Sequence, residues 1–265
     1  MHTTKAIVLS GNGTNCEMEM AHACRLGGFD QVDIVHISDL VYGEKKLADY
    51  HFLNLPGGFL DGDDLGAAKA HANRIRHAVI KDTGDRLFDH FLRFIHKGGL
   101  ILGVCNGFQV LVKAGFLPQP MSGDASHLTL ANNDSGKFEC RWVYMKANPK
   151  SNCVFTQGLD LIYLPVAHGE GKVVTDDVIL PRLNVPLFYS DESGNTGVGY
   201  PANPNGSMNN IAGVCDDSGR VFGLMPHPER HVRGTQHPRW TRLGARKYGD
   251  GFRFFQNAVE WAKKL

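Results

Sequence analysis

Leu100-Ile101-Leu102-Gly103-Val104-Cys105-Asn106-Gly107-Phe108-Gln109-Val110-Leu111-Val112 joins two apolar runs through a cysteine flanked by Gly103 and Gly107. A short apolar run bounded by turn signals reads as a buried strand, here Leu100–Val104, delivering Cys105 at its carboxyl end. In the hydrolase pattern Gly-x-Ser-x-Gly, flanking glycines let the backbone turn sharply from strand to helix and leave the nucleophile exposed. Sulfur replaces oxygen here. A thiol at the head of a helix faces the positive end of the helix dipole, which favours the thiolate that attacks. A buried structural cysteine is the alternative for any single Cys.

The sequence before this elbow alternates strands and helices. Lys5–Ser10, Gln31–His36 and Tyr50–Leu55 read as strands, and Glu17–Leu26 as the helix after the first of them. The Ala-rich stretch Leu65–Ile80 predicts a helix. Arg86–His96 predicts another, with Leu87, Phe88, Phe91, Leu92 and Ile95 on one face, ended by Lys97-Gly98-Gly99. This alternation indicates an α/β fold, a three-layer sandwich with a central mostly parallel sheet of the flavodoxin-like kind. In such sheets the active site lies beyond the carboxyl ends of the strands, where Cys105 and Pro56-Gly57-Gly58 both project.

From Lys137 the pattern is richer in strands: Phe138–Lys146, Asp160–Val166, Leu187–Tyr189, Asn210–Val214 and Val221–Leu224. A terminal helix, Phe252–Lys263, presents Phe254, Phe255, Ala258, Val259 and Ala262 to the body. No repeat or linker divides the chain, so residues 1–265 read as a single domain.

Hydrophobic residues make up 42% and charged residues 21%, ordinary for a soluble protein. Lys plus Arg number 28 against 27 Asp plus Glu, which argues against nucleic acid or an anionic membrane as the main partner. The absence of a signal-peptide core before Lys5 and of any apolar run near ~20 residues gives the expectation of a cytoplasmic protein. Cys16, Cys24, Cys105, Cys140, Cys153 and Cys215 contain no Cys-x-x-Cys pair, so neither a zinc site nor a disulfide framework is expected.

A thiol nucleophile needs a base, and the base needs a group to orient it. In Met225-Pro226-His227-Pro228-Glu229-Arg230 the prolines favour an extended backbone, which would send the side chains of His227 and Glu229 to the same side. The thirteen histidines make a loop histidine beside a solvated glutamate the plain alternative. A tetrahedral intermediate also requires N–H donors at its oxyanion. Asn54-Leu55-Pro56-Gly57-Gly58-Phe59 offers Gly57 or Gly58 for one donor, and Asn106, after the nucleophile, the other.

Gly-Val-Cys-Asn-Gly-Phe-Gln at 103–109, Leu-Pro-Gly-Gly-Phe at 55–59 and Pro-His-Pro-Glu at 226–229 resemble the class I, or triad, glutamine amidotransferases. Gly13-Thr14-Asn15-Cys16-Glu17, Ala167-His168-Gly169-Glu170-Gly171 and Asn203-Pro204-Asn205-Gly206-Ser207 are similar to motifs of the purine-biosynthetic glutaminase subunits within that class. The resemblance implies that Cys105 attacks the glutamine side-chain amide, His227 protonates the departing ammonia and Glu229 orients His227. It implies further that Gln109, Ala167, His168, Gly169 and Glu170 bind the amino-acid end of glutamine. The alternatives are a polar residue on a helix surface for Gln109 and a strand turn for His168-Gly169-Glu170. The implied partner is a synthetase subunit, with or without a small accessory subunit.

Amidine formation requires phosphoryl activation, yet no Gly-x-x-x-x-Gly-Lys-Ser/Thr occurs; Gly169-Glu170-Gly171-Lys172 has the wrong spacing. With the resemblance, this assigns ATP and Mg to the partner synthetase and no cofactor or metal to this chain. After Leu-Pro-Gly-Gly-Phe many relatives read Ser-Tyr-Gly-Asp-Tyr-Leu-Arg, whereas this chain has Leu60-Asp61-Gly62-Asp63-Asp64-Leu65-Gly66, a segment expected to face the partner or line the ammonia exit. Two rival readings are a nucleotide-binding module on Gly11-Asn12-Gly13, which lacks the third glycine at Cys16, and a Cys hydrolase or chaperone-like protein. Arg230, Arg233, Arg239, Arg242, Arg246 and Lys247, with no acidic residue among 230–247, form either a solvated face or a docking edge.

Overall fold

Leu100–Val104 is a fully buried strand at the heart of the sheet, as its unbroken apolar sequence requires. The structure, a computed structural model, describes residues 3–119 and 127–265. The first half runs β1 (Lys5–Ser10), α1 (Glu17–Gly27), β2 (Gln31–His36), α2 (Ile37–Tyr42), β3 (Phe52–Leu55), α3 (Lys69–His77), α4 (Leu87–His96), β4 (Leu100–Val104) and α5 (Asn106–Lys113). There follow β5 (Leu128–Asn132), β6 (Glu139–Ala147), β7 (Leu161–His168), β8 (Glu170–Thr175), β9 (Asn184–Ser190), β10 (Ile211–Cys215), β11 (Val221–Leu224), α6 (Trp240–Leu243) and α7 (Phe252–Ala262).

The main sheet has the order β2-β1-β3-β4-β11-β10-β9-β6-β7. From β2 to β11 every pairing is parallel. This is the doubly wound order of flavodoxin-like folds, with strand ends meeting in a crevice beside β1 and β3. From β11 to β7 every pairing is antiparallel, extending the parallel core with the strand-rich second half of the chain. Helix α1 packs on α7, while α3 packs on both α4 and α5, forming the two outer layers. Phe52, Phe108, Phe222, Phe254 and Phe255 are fully buried, each burial contributing on the order of 1.5–3 kcal/mol.

The Ala-rich stretch yields a shorter helix than its composition predicts. Residues 65–68 form turns instead, with Ala68 at φ +62° and the Gly66 N–H bonded to the Asp63 carbonyl at 2.8 Å. The Asp61 carboxylate, 2.9 Å from Arg74, ties this loop to α3. Tertiary contacts thus override alanine's helix propensity. At the other end Ala78 turns extended and Val79 pairs with Arg86.

Strands β5 and β8, which the sequence pattern does not announce, pair antiparallel in a separate two-stranded sheet. Among the described residues, no helix is long and apolar enough to cross a membrane. All six cysteines are free thiols, and only Cys140 is exposed.

Candidate active site

Cys105 follows β4 directly and caps α5 with φ +53° and ψ −106°, a strained conformation for any residue with a Cβ. The chain adopts it because its neighbours leave no alternative path. A Cβ on Gly107 would lie 1.9 Å from the Leu55 carbonyl oxygen, and one on Gly103 would lie 2.6 Å from the Gly107 carbonyl oxygen. Close packing of β3, β4 and α5 therefore demands glycine on both sides of Cys105. In this state the Cys105 thiol donates to the Ala167 carbonyl at 3.5 Å.

His227 and Glu229 are both buried. The His227 N–H donates to the Pro165 carbonyl of β7 at 2.9 Å, which fixes the residue against the sheet. The extended conformation expected for His227–Glu229 ends at His227. Pro228–Arg230 closes a 3₁₀ turn, because proline's fixed φ suits the first helical position and the Arg230 N–H reaches the His227 carbonyl. The turn brings Glu229 Oε1 to 2.5 Å from His227 Nδ1, so the carboxylate holds the imidazole itself.

Burial alone would push the His227 imidazole down. The Glu229 carboxylate, with the Cys105 and Cys16 thiols nearby, outweighs burial and holds it well above the usual histidine range. His227 Nε2 has no hydrogen-bond partner among the described residues and is the nitrogen left to exchange protons with a substrate or thiol.

Gly57 sits between the two. Its Cβ position is 2.8 Å from His227 Cε1 and 3.4 Å from Cys105 Cβ, so only a glycine lets thiol and imidazole converge. The N–H groups of Gly57 and Gly58 donate to no acceptor among the described residues. That of Asn106, first residue of α5, has no partner within its helix. Gly57→Ala is expected to displace the imidazole and lower kcat for the amide substrate that the resemblance implies about 10²-fold. Steady-state kinetics with circular dichroism as the fold control checks this; near-native turnover would contradict the packing argument.

Cys105 opens into a cavity of about 770 Å³ whose wall also includes Gly58, Gln109, Ala167, His168, Gly169, Glu170 and His227. Every residue predicted to bind the amino-acid end of glutamine is in this wall. Gln109 Nε2 donates to the Glu170 carbonyl at 2.5 Å, and Asn106 Nδ2 donates to Gln109 Oε1 at 3.2 Å. Gln109 is therefore a buried bridge from α5 to β8, not a polar residue on the helix surface.

His168-Gly169-Glu170 is a strand turn between β7 and β8 and cavity wall at once. The carboxylate of Glu170 faces Lys113 Nζ at 2.6 Å and the Ala67 N–H at 3.4 Å.

His168 Nδ1 lies 3.0 Å from Asn133 Oδ1, and Asn133 Nδ2 donates to the His168 carbonyl at 2.8 Å. Burial, then the nearby His227, lower the His168 imidazole to about 4 from 6.5. A histidine lowered in the folded state stabilises the fold above its unfolded value and loses that contribution as pH falls from about 6.5 through about 4. His168→Gln, which cannot charge, is therefore expected to lose about 3 kcal/mol less stability than the native chain between pH 7 and pH 4. Denaturant unfolding at the two pH values measures this, and identical losses would contradict it.

Four residues take a part in the site that the sequence pattern does not assign them. Cys16 Sγ lies 3.9 Å from His227 Nδ1, and Arg230 donates to Cys16 Sγ at 3.2 Å. Lys113 and Asn133 hold Glu170 and His168 as described. Lys113 was within reach of helical spacing, four residues after Gln109 on the same face. Asn133 gave no signal.

Cys16, His227 and Glu229 offer thiol, imidazole and carboxylate atoms within 4.8 Å of one another, a donor set that suits zinc. The Glu229–His227 hydrogen bond already uses two of the three groups, and the Arg230 guanidinium stands against the third. This cluster is a hydrogen-bonded network, a poor fit for a cation.

The Gly11–Gly13 turn is filled by protein. The Phe59 N–H donates to the Gly13 carbonyl at 2.8 Å and the Asp61 N–H to the Asn12 carbonyl at 2.9 Å, and a Cβ at Gly13 would lie 2.3 Å from the Phe59 carbonyl oxygen, so the 59–61 backbone packs directly on the turn. Along the basic segment Arg230 turns inward to Cys16, Arg233 reaches His22 and Arg239 donates to the Tyr144 hydroxyl, while Arg242 and Arg246 are exposed.

Compared with known proteins, residues 3–262 match the family described as the CobB/CobQ-like glutamine amidotransferase domain. The chain is 48% identical over 265 residues to phosphoribosylformylglycinamidine synthase subunit PurQ of Dehalococcoides mccartyi, covering 100% of each. It is 41% identical to the subunit of the same name from Archaeoglobus fulgidus, covering 98% of each. Among solved structures it is similar to PurLQS from Thermotoga maritima, with a TM-score of 0.73 and 31% identity, covering 98% of this chain and 99% of that one.

Proposed function

Because this chain belongs to the CobB/CobQ-like glutamine amidotransferase domains, we propose that it is a glutaminase subunit that releases ammonia from glutamine through a thioester on Cys105. It delivers the ammonia to a partner synthetase that converts formylglycinamide ribonucleotide to formylglycinamidine ribonucleotide in purine biosynthesis. The likeness to PurQ subunits along the full chain, and to PurLQS, supports this assignment. The observation that carries the chemistry is one cavity holding Cys105, the His227 of the His227–Glu229 pair, and the Gln109–Glu170 wall.

In the first step the Cys105 thiol gives its proton to His227 Nε2, and sulfur adds to the side-chain amide carbon. Gly57 or Gly58 and Asn106 donate N–H groups to the oxyanion. The tetrahedral intermediate collapses as the His227 imidazolium protonates the amine, which leaves as ammonia. Water then adds to the γ-glutamyl thioester, giving its proton to His227. Expulsion of the Cys105 thiolate, which recovers that proton, releases glutamate. Glu229 keeps the imidazole oriented and stabilises its charged form throughout.

Gln109, Ala167, His168, Gly169 and Glu170 shape the pocket for the amino-acid end. Of these, the Glu170 carboxylate acts through Lys113 and the Ala67 backbone, anchoring the 60–68 loop. ATP and Mg belong to the partner synthetase, which works with or without a small accessory subunit. The whole of residues 1–265 serves as one amidotransferase domain in the cytoplasm. Reaction with a glutamine-mimicking electrophile tests the reading: one equivalent bound at Cys105, with loss of ammonia release, is expected. A chain left unmodified would overturn it in favour of a binding module.

A further inference from the structure

The segment that departs from the Ser-Tyr-Gly-Asp-Tyr-Leu-Arg pattern puts Asp63, Gly66 and Ala67 in the cavity wall that also carries Cys105, Gln109 and Glu170. Its own turn fixes Asp63, with the Gly66 N–H on the Asp63 carbonyl at 2.8 Å. Asp63 Oδ1 is buried without a hydrogen-bond partner. Nor does the residue form an ion pair with any described residue. Glu170, the other carboxylate of the wall, is already satisfied by Lys113 and the Ala67 N–H.

Asp63 therefore keeps one carboxylate oxygen, Oδ1, without a donor, beside a second carboxylate. Burial, and then Glu170, raise its carboxyl above the usual range, while the Ala68 N–H and Lys113 pull the other way. Such an oxygen is costly while it lacks a donor and is relieved when a cation comes beside it.

Glutamine carries one cation, its α-ammonium. With the side-chain amide at Cys105 and His227, the amino-acid end extends toward Gln109 and Glu170, next to Asp63. The two cations of the wall cannot serve an ammonium: Arg230 stands against Cys16, and Lys137 has the same charge as the ligand. We infer that Asp63 receives the α-ammonium of the substrate glutamine and sets the requirement for an α-amino acid. This rests on the glutaminase reading above.

The test compares glutamine with glutaramate, the same amide without the α-amino group, in the enzyme assembled with its synthetase. Asp63→Asn is expected to raise KM for glutamine about 10–100-fold, with a smaller fall in kcat. The preference for glutamine over glutaramate, as the ratio of kcat/KM values, should fall at least about tenfold. Asp63→Glu should keep more of that preference than Asp63→Asn. Alkylation of Cys105 by iodoacetamide, which has no amino-acid end, reports whether the cavity is intact, and Asp63→Ser repeats the test if Asp63→Asn does not fold. An unmoved KM, or equal losses for both substrates, would overturn the role of Asp63. Wild-type enzyme unable to hydrolyse glutamine would instead overturn the glutaminase reading itself.

Discussion

Cys105→Ala removes glutamine-dependent synthesis, an expected loss of at least about 10⁴-fold, while the assembled enzyme keeps its activity with supplied ammonium. The size follows from the chemistry, since no other thiol occupies the elbow. Cys16 reaches the same cavity, but from the Gly13–Glu17 motif, with its sulfur near Nδ1, the imidazole nitrogen that Glu229 already holds. The retention of ammonium activity follows from the proposed division of labour, in which the thiol serves amide cleavage alone. Parallel assays with glutamine and with ammonium chloride measure both arms. A variant that still hydrolyses glutamine would show that Cys105 is not the nucleophile.

His227→Asn is expected to be the more damaging of two changes in the neighbouring pair, lowering single-turnover hydrolysis about 10⁴-fold, against about 10²-fold for Glu229→Gln. In the proposed mechanism His227 moves a proton in every step, whereas Glu229 orients it and raises its basicity. Glu229→Gln keeps a hydrogen-bond acceptor near Nδ1 but removes the charge that holds the imidazole above its usual range. Its pH–rate profile should therefore shift with the fall of the His227 pKa, a readout that simple loss of packing would not produce. Near-native rates for both variants would make the pair a structural element only.

Much of the parallel half was legible in the sequence because each element carries its own signal. Lys5–Ser10 and Gln31–His36 appear at the bounds expected of them, and Leu87–His96 within one residue, because apolar runs and a 3.6-residue stripe leave few alternatives. The elbow was legible for a stronger reason, since the two glycines beside Cys105 answer steric demands that the fold makes at those positions. Strands β5 and β8 were hidden because they bury only alternate side chains or fewer, and Glu170-Gly171-Lys172 looks like a turn. The start of α3 was hidden because alanine favours helix, while the ion pair of Asp61 with Arg74 and the turn at Asp63 belong to the loop's tertiary setting.

In the site, residue types announced Cys105, His227 and Glu229, but not how Glu229 reaches its partner. Two prolines argue for extension, yet the second also suits the first position of a 3₁₀ turn, and the turn is what forms. Arg230 was grouped with a basic run by its charge. Its inward path to Cys16 depends on that turn and on α1, neither of which local charge pattern describes.

The most direct measurement is to trap the covalent intermediate. The native enzyme, turning over glutamine and quenched in acid within a single turnover, should carry one γ-glutamyl group by intact-mass spectrometry, and peptide mapping should place it on Cys105. Hydroxylamine, which cleaves thioesters, should remove it. A γ-glutamyl group on another residue, or glutamine hydrolysis with no covalent species at a burst-phase sampling time, would contradict the account.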